Sequence, residues 1–307
     1  MWEADHPILT ITGPTAVGKT ALSTELAVRL NGEIISADSR QVYRELNIGT
    51  AKPEPHELAA VPHHFIGERT LGASFSAGTF AEMANERIRQ VISRKRTPIV
   101  VGGSTLYIHA LQQGLADIPE VSQDVRNHIE RRLEKEGAEA LYAELERVDP
   151  EQAARMDLTK THRLIRALEV YHATSRPLSY YYQNQPQPPF AYRTFVLNRN
   201  RQQLYARIER RVERMLNRGL LDEVEKANSL EGIDLTTPPL KTIGYKEPAQ
   251  YLAGAYDYNE MVRLIKRNSR RYAKRQLTWF RRYDDYKWVN AEAIDTSDFL
   301  DKVMALW

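Results

Sequence analysis

The run Gly13-Pro14-Thr15-Ala16-Val17-Gly18-Lys19-Thr20 follows the pattern G-x-x-x-x-G-K-[ST], a chemistry for holding phosphate. Its glycines let the main chain wrap closely around anionic oxygens, and successive N–H groups with a helix N-terminus stabilise the charge. Lys19 adds a point charge, and Thr20 offers a hydroxyl to Mg²⁺. Asp38, in Asp38-Ser39-Arg40-Gln41, and Ser104, after Gly102-Gly103, each follow a β-rich run. Asp38 reads either as a proton acceptor for an incoming nucleophile or as a cap. Ser104 reads either as a donor to a phosphate oxygen or as a cap. Motor-type hydrolysis normally needs a strand ending in a Mg²⁺-holding carboxylate. The run Pro98-Ile99-Val100-Val101 ends in glycines instead, which favours group transfer from a phosphate-bearing donor.

The elements that must position these groups are legible as periodicity. A strand is expected over 8–12, a helix over 20–30 from Leu22, Leu26 and Leu30, and a strand over 33–37. A weaker strand is expected over 64–66, a helix over 76–94 and a buried strand over 98–101. Such alternation implies a parallel, doubly wound sheet whose strand ends face one crevice, so Asp38, Ser104 and the phosphate loop should converge. From 118 to 175 the chain is charged and strand-free, with helices expected over 123–135, 138–147 and 160–171. The Tyr/Gln/Pro-rich stretch 180–189 reads as a loop or linker. A strand over 192–197 should return to the sheet, followed by helices over 202–217 and 258–280. The expected fold is α/β, a P-loop NTPase-like parallel sheet flanked by helices with a helical insertion. The core would comprise 1–117 and 190–307, and the insertion 118–189.

Composition bounds the alternatives. The 307 residues are 42% hydrophobic and 27% charged, which excludes a disordered or fibrous chain. There is no cysteine, so thiol catalysis, disulfides and cysteine-based zinc sites are out. No apolar run approaches the ~20 residues of a membrane span, and the N-terminus has no signal-peptide pattern, so a cytoplasmic protein without membrane contact is expected. The net charge of +3 says little, but its distribution is polarised. Arg263, Lys266, Arg267, Arg270, Arg271, Lys274, Arg275, Arg281 and Arg282 follow one another without an intervening acid. At helical spacing they form a stripe for an anionic partner, or an ordinary solvated face. Tyr272, Trp279 and Phe280 beside it could stack on bases but fit core positions better. His63-His64 lacks metal-ligand spacing and reads as a structural pair.

The ordered set of motifs resembles the tRNA dimethylallyltransferases, or IPP transferases. It comprises the phosphate loop; Asp38–Tyr43; Asn47-Ile48-Gly49-Thr50-Ala51-Lys52-Pro53; Pro62-His63-His64-Phe65; Gly102-Gly103-Ser104-Thr105-Leu106-Tyr107; Arg166-Ala167-Leu168-Glu169-Val170; Ile243-Gly244-Tyr245; and Lys274-Arg275-Gln276-Leu277-Thr278-Trp279-Phe280-Arg281. The resemblance implies transfer of a dimethylallyl group from its diphosphate to N6 of the adenosine 3′ of the anticodon, with Mg²⁺ present. It assigns the donor diphosphate, rather than ATP, to the ATP-type loop. Asp38 would take the N6 proton, while Lys19, Ser104 and an arginine, Arg211 with Arg207 one turn earlier, would stabilise the departing diphosphate. The target base must leave its stack to react, and Gln41 suits an adenine edge.

The family pattern places tRNA contacts at Asp38, Ser39, Arg40, Gln41, Ser104, Lys241, Gly244, Tyr245, Lys274, Arg275, Gln276 and Arg281. Lys160, Thr161, His162, Arg163 and Arg166 of the insertion would grip the anticodon stem-loop. There are three departures from the pattern: Ser104-Thr105 replaces Thr-Gly, leaving two hydroxyls in competition, Arg40 replaces a small residue, and His162-Arg163 replaces a Gln-Arg-like pair. Tyr180–Tyr182 either lines a substrate channel or packs. A monomer is expected. The rival readings are a P-loop small-molecule kinase, an isopentenyl transferase acting on free adenine nucleotides, and a non-catalytic RNA-binding protein.

Overall fold

The computed structural model describes residues 6–157, 159–235, 237–292, 297–299 and 301–302. The chain divides into two compact units, Met1–Gln112 with Pro189–Trp307, and Gln113–Pro188. The breaks lie at 112/113 and 188/189, against 117/118 and 189/190 expected from composition.

The first unit begins β1 (Ile8–Thr12), α1 (Lys19–Arg29) and β2 (Gly32–Ala37). Next come α2 (Pro55–Ala60), β3 (His63–His64), α3 (Ala77–Ser93), β4 (Thr97–Gly102) and α4 (Thr105–Gln113). Six strands form one sheet in the order β3-β2-β4-β1-β5-β6, with every pair parallel. Here β5 is Tyr192–Asn198 and β6 is Lys287–Asn290. Strands β1, β2 and β4 are buried along their whole length, as continuous apolar runs with both faces covered require. Their residues join Leu26, Ala27, Phe195, Leu204 and Ile208 in one core.

The register decides where chemistry can occur. Thr12 and Ala37 both pair with Gly102, so the chain leaves β1, β2 and β4 at adjacent points on one edge. The phosphate loop, Asp38 and Ser104 each begin there.

The second unit holds α5 (Gln123–Glu136), α6 (Ala138–Val148), α7 (Pro150–Ala154), α8 (Thr161–Thr174) and α9 (Leu178–Gln183). They enclose their own core of Ile129, Leu141, Leu145, Leu164, Leu168 and Leu178. Helix α9 corrects the loop expected there. Leu178 is buried, and buried Asp149 accepts the Ser179 N–H at 2.9 Å, so tertiary contacts override a turn-like composition. Tyr181 packs against this core, while Tyr180 and Tyr182 are exposed. The weak strand expected at 64–66 is two residues long, His63–His64, and is followed by Phe65, whose φ is +65°.

The first unit is completed by α10 (Arg201–Asn217), α11 (Leu220–Asn228), a 3₁₀ turn (Pro238–Lys241), α12 (Lys246–Leu252) and α13 (Tyr258–Phe280). Leu204, Ile208, Val212 and Met215 anchor α10 at helical spacing, leaving its other faces to polar work.

Candidate active site

A cavity of about 1070 Å³ opens at the carboxyl ends of the strands, lined by Thr15–Thr20, Asp38–Gln41, Gly103, Ser104, Arg211 and Tyr272 among others. Gly18 caps α1 with φ +114°, a conformation that L side chains rarely adopt, and so turns the loop into the helix. Lys19 donates from Nζ to the carbonyls of Gly13 and Pro14 at 2.9 and 3.0 Å. Burial pushes its ammonium down to about 8, against the attraction of Asp38, and nearby Arg211 lowers it further.

Asp38 is half-buried. Its Oδ1 accepts the N–H groups of Arg40 (2.9 Å) and Gln41 (3.3 Å), and no described residue donates to Oδ2. One oxygen caps the turn, and the other faces no donor among the described residues in a side chain that lines the cavity. Ser104 Oγ accepts the Ser39 N–H at 2.9 Å and donates to Ser39 Oγ at 3.2 Å. Ser104 lines the cavity and Thr105, already in the first turn of α4, does not, which separates the two competing hydroxyls.

Two arginines of α10 meet the phosphate loop. Arg207 donates from Nε to Ala16 O at 2.8 Å. Arg211 donates to Thr15 Oγ1 at 3.0 Å and to Thr50 O at 3.3 Å. Burial lowers the affinity of both for a proton, opposed at Arg211 by Asp38 and reinforced at Arg207 by Arg199. Arg199 lies alongside, donating from Nε to Val17 O at 2.8 Å. No described carboxylate pairs with any of these three. Positive charge held over a phosphate loop with no ion-paired carboxylate among the described residues suits a polyanionic ligand.

Several residues expected at an RNA surface have their side chains engaged inside the protein. Gln276 is 2% exposed; its Nε2 donates to Gly103 O at 2.7 Å, and its Oε1 accepts the Thr15 N–H at 2.9 Å. It ties the phosphate loop to the end of β4 and positions both. Tyr245 is buried, with its hydroxyl donating to Glu223 at 2.7 Å; burial and that carboxylate hold its phenol well above the usual range. Gln41 donates from Nε2 to the carbonyls of Thr50 and Ala51 at 3.3 and 3.1 Å. Arg40 lines the cavity and has a buried Nε with no hydrogen-bond partner among the described residues. Lys241, Gly244 and Arg275 also line it, Arg275 being exposed as well, whereas Lys274 and Arg281 are exposed and do not line it.

The basic stripe of α13 is not uniform. Arg263 pairs with Glu260, Lys266 with Glu213 and Arg270 with Glu209, each at 2.6 Å. Arg271, Lys274 and Arg275 have no such partner among the described residues. Phe280 is core, Trp279 is half-buried beside His109, and Tyr272 lines the cavity, where burial and the Asp38 charge push its phenol up to about 12.

In the second unit, Lys160 pairs with Asp157 at 3.3 Å and Arg166 with buried Glu169 at 3.4 Å. Thr161 is half-buried, and His162 and Arg163 are exposed. His63 Nδ1 bonds Val61 O, and His64 bonds buried Glu33 at 2.7 Å. Among the described residues no group of three or more His, Cys, Asp or Glu could hold a metal. A Mg²⁺ ion still fits the donor set: Thr20 and Asp38 share the cavity, and such an ion commonly takes few protein oxygens and completes its shell with phosphate and water.

Sequence reading missed Glu223 and the bridging role of Gln276, and it favoured a core position for Tyr272, which lines the cavity. Nothing in the local sequence marks Glu223, which sits in an ordinary helical run, Leu220-Leu221-Asp222-Glu223-Val224.

A parallel sheet carrying a phosphate loop, with a carboxylate and unpaired arginines around one cavity, defines a phosphate-loop protein built for group transfer. Residues 41–283 match the model of the family described as IPP transferase. The chain belongs to that family. It is 63% identical over 299 residues to a tRNA dimethylallyltransferase of Salinibacter ruber, covering 97% of this chain and 92% of that one. The tRNA isopentenylpyrophosphate transferase of Bacillus halodurans superposes with a TM-score of 0.72 at 39% identity, over 98% of this chain and 95% of that one. A eukaryotic dimethylallyltransferase acting on tRNA superposes with a TM-score of 0.76 at 27% identity, over 97% and 77%.

Proposed function

We propose that the protein transfers a dimethylallyl group from dimethylallyl diphosphate to N6 of the adenosine 3′-adjacent to the anticodon in tRNA. Family membership supports the reaction, and the observation that carries it here is the single cavity shared by the phosphate loop and Asp38. A bond forms between N6 and C1 of the prenyl group, the C1–O bond breaks, and diphosphate departs with the electron pair. The amino group of adenine is a poor nucleophile because its lone pair is delocalised. Asp38 accepts the N6 proton through its free oxygen as the new bond forms. Lys19, Arg211 and Ser104 stabilise charge growing on the diphosphate. Mg²⁺ held at Thr20 and the diphosphate oxygens would neutralise part of that charge. Exposed Lys274, Arg275 and Arg281, with His162 and Arg163 of the helical unit, supply RNA contacts.

Among the described residues no helix is long and apolar enough to cross a membrane. The test is transfer of label from dimethylallyl diphosphate to unmodified tRNA bearing an A-rich anticodon loop. Label on free AMP and none on tRNA would favour the nucleotide-acting alternative. ATP-dependent phosphorylation of a metabolite would favour a kinase.

A further inference from the structure

Glu223 lies on α11, which contributes no other residue named among the reacting groups. Its carboxylate is nonetheless saturated by the loop at 47–49. Oε2 accepts the N–H groups of Asn47 (2.9 Å) and Ile48 (2.8 Å), and Oε1 accepts the N–H of Gly49 (3.0 Å) and the hydroxyl of Tyr245 (2.7 Å). Hydrogen bonds to a charged acceptor are about twice as strong as neutral ones. Four converging on one buried carboxylate make a rigid clamp.

The clamped loop continues directly into the site. A Cβ on Gly49 would lie 2.6 Å from the Tyr245 ring, so only glycine lets the loop close on this pair. One and two residues further, the carbonyl of Thr50 accepts from Arg211 and Gln41, and that of Ala51 accepts from Gln41. Arg211 also reaches Thr15 of the phosphate loop.

We infer that Glu223 is a positioning residue for the transfer, acting through the 47–51 loop, which Gln41 also braces, to set Arg211 against the diphosphate. This rests on the reading of Arg211 as a diphosphate ligand. Glu223→Gln keeps the size and places an NH₂ group against backbone donors, so part of the clamp must open.

The test is a double-mutant cycle pairing Glu223→Gln with Arg211→Lys, read as kcat and, by calorimetry, as affinity for inorganic pyrophosphate. Alone, Glu223→Gln should lower both about tenfold; in the Arg211→Lys background the further loss should shrink to about twofold, because the group it positions has already been altered. Tyr245→Phe, which removes one bond of the four, repeats the cycle with a loss of about threefold should Glu223→Gln fail to fold. Equal factors in both backgrounds mean a merely structural role and overturn the inference. Pyrophosphate affinity does not depend on prenyl transfer. A coupled binding cycle in a protein that transfers no label would sink the proposed reaction and leave the clamp standing, and an additive cycle in an active protein would do the reverse.

Discussion

Helices α10 and α13 are both rich in arginine, yet their charges go to different places. On α13, Lys266 and Arg270 are neutralised by Glu213 and Glu209, which project from α10. Helix α10 thus spends its acids on its neighbour and turns Arg207 and Arg211 toward the phosphate loop with no ion pair among the described residues. The helix with the longer basic run in sequence therefore carries less free charge over its first half than its composition implies. Exposed ion pairs of this kind are worth roughly 0–1 kcal/mol each, so their effect lies in directing the field more than in stability. A count of charges along a helix measures its potential only when the partners on adjacent helices are known.

The comparison can be broken most decisively inside the cavity. Asp38→Asn, opposite the α10 arginines, should lower kcat about 10³-fold with tRNA affinity changed little, measured by single-turnover transfer and filter binding. A loss of binding with chemistry intact would make Asp38 a contact instead. Next in size, Arg211→Ala should cost about 10²-fold in kcat, whereas Arg270→Ala on the neutralised stretch of α13 should leave kcat within about twofold.

Lys19 sharpens the electrostatic side through pH. Its ammonium titrates at about 8 instead of 10.5, so pyrophosphate affinity should fall as pH rises from 7 to 9, and Lys19→Arg should flatten that fall because arginine keeps its proton. The sign for stability is the opposite. Between about 8 and 10.5 this group binds more protons in the unfolded chain than in the folded one, so it makes the free protein more stable as pH rises, and its titration cannot lower affinity by unfolding the protein. The smallest effect separates the two halves of α13. Arg271→Glu with Lys274→Glu should reduce the slope of log affinity for tRNA against log salt by about 1 for each phosphate that these side chains no longer neutralise. The same reversal at Lys266 and Arg270 should change that slope less, and an equal change would show that the ion pairs do not matter.

Much of the molecule was legible because its signals are local. The phosphate loop, the strands at 8–12, 33–37 and 98–101, and the amphipathic helices α3, α10 and α13 each follow from spacing within a dozen or so residues. Helix α4 was missed because Tyr107, Ile108, Ala110, Leu111 and Gln112 are all buried, leaving too little polar face for a helical period to show. Strand β6 was missed because it is short, and among Lys287-Trp288-Val289-Asn290 only Val289 faces inward. Tyr245 and Gln276 occur in motifs and are expected as tRNA contacts; both line the cavity with their polar atoms bonded inside the protein, a distinction that a motif does not record.

By itself the sequence determined the glycine-rich loop motif, the parallel α/β class and the family, because the loop, the strand ends and the order of motifs are carried by neighbours in the chain. Tertiary structure alone decided which charges stay free, which polar side chains are consumed as braces, and that Glu223 reaches the site across 174 positions to Gly49. Those outcomes depend on which helix faces which. Hydrogen bonds and ion pairs act over a few ångströms of space, and separation along the chain does not predict that distance.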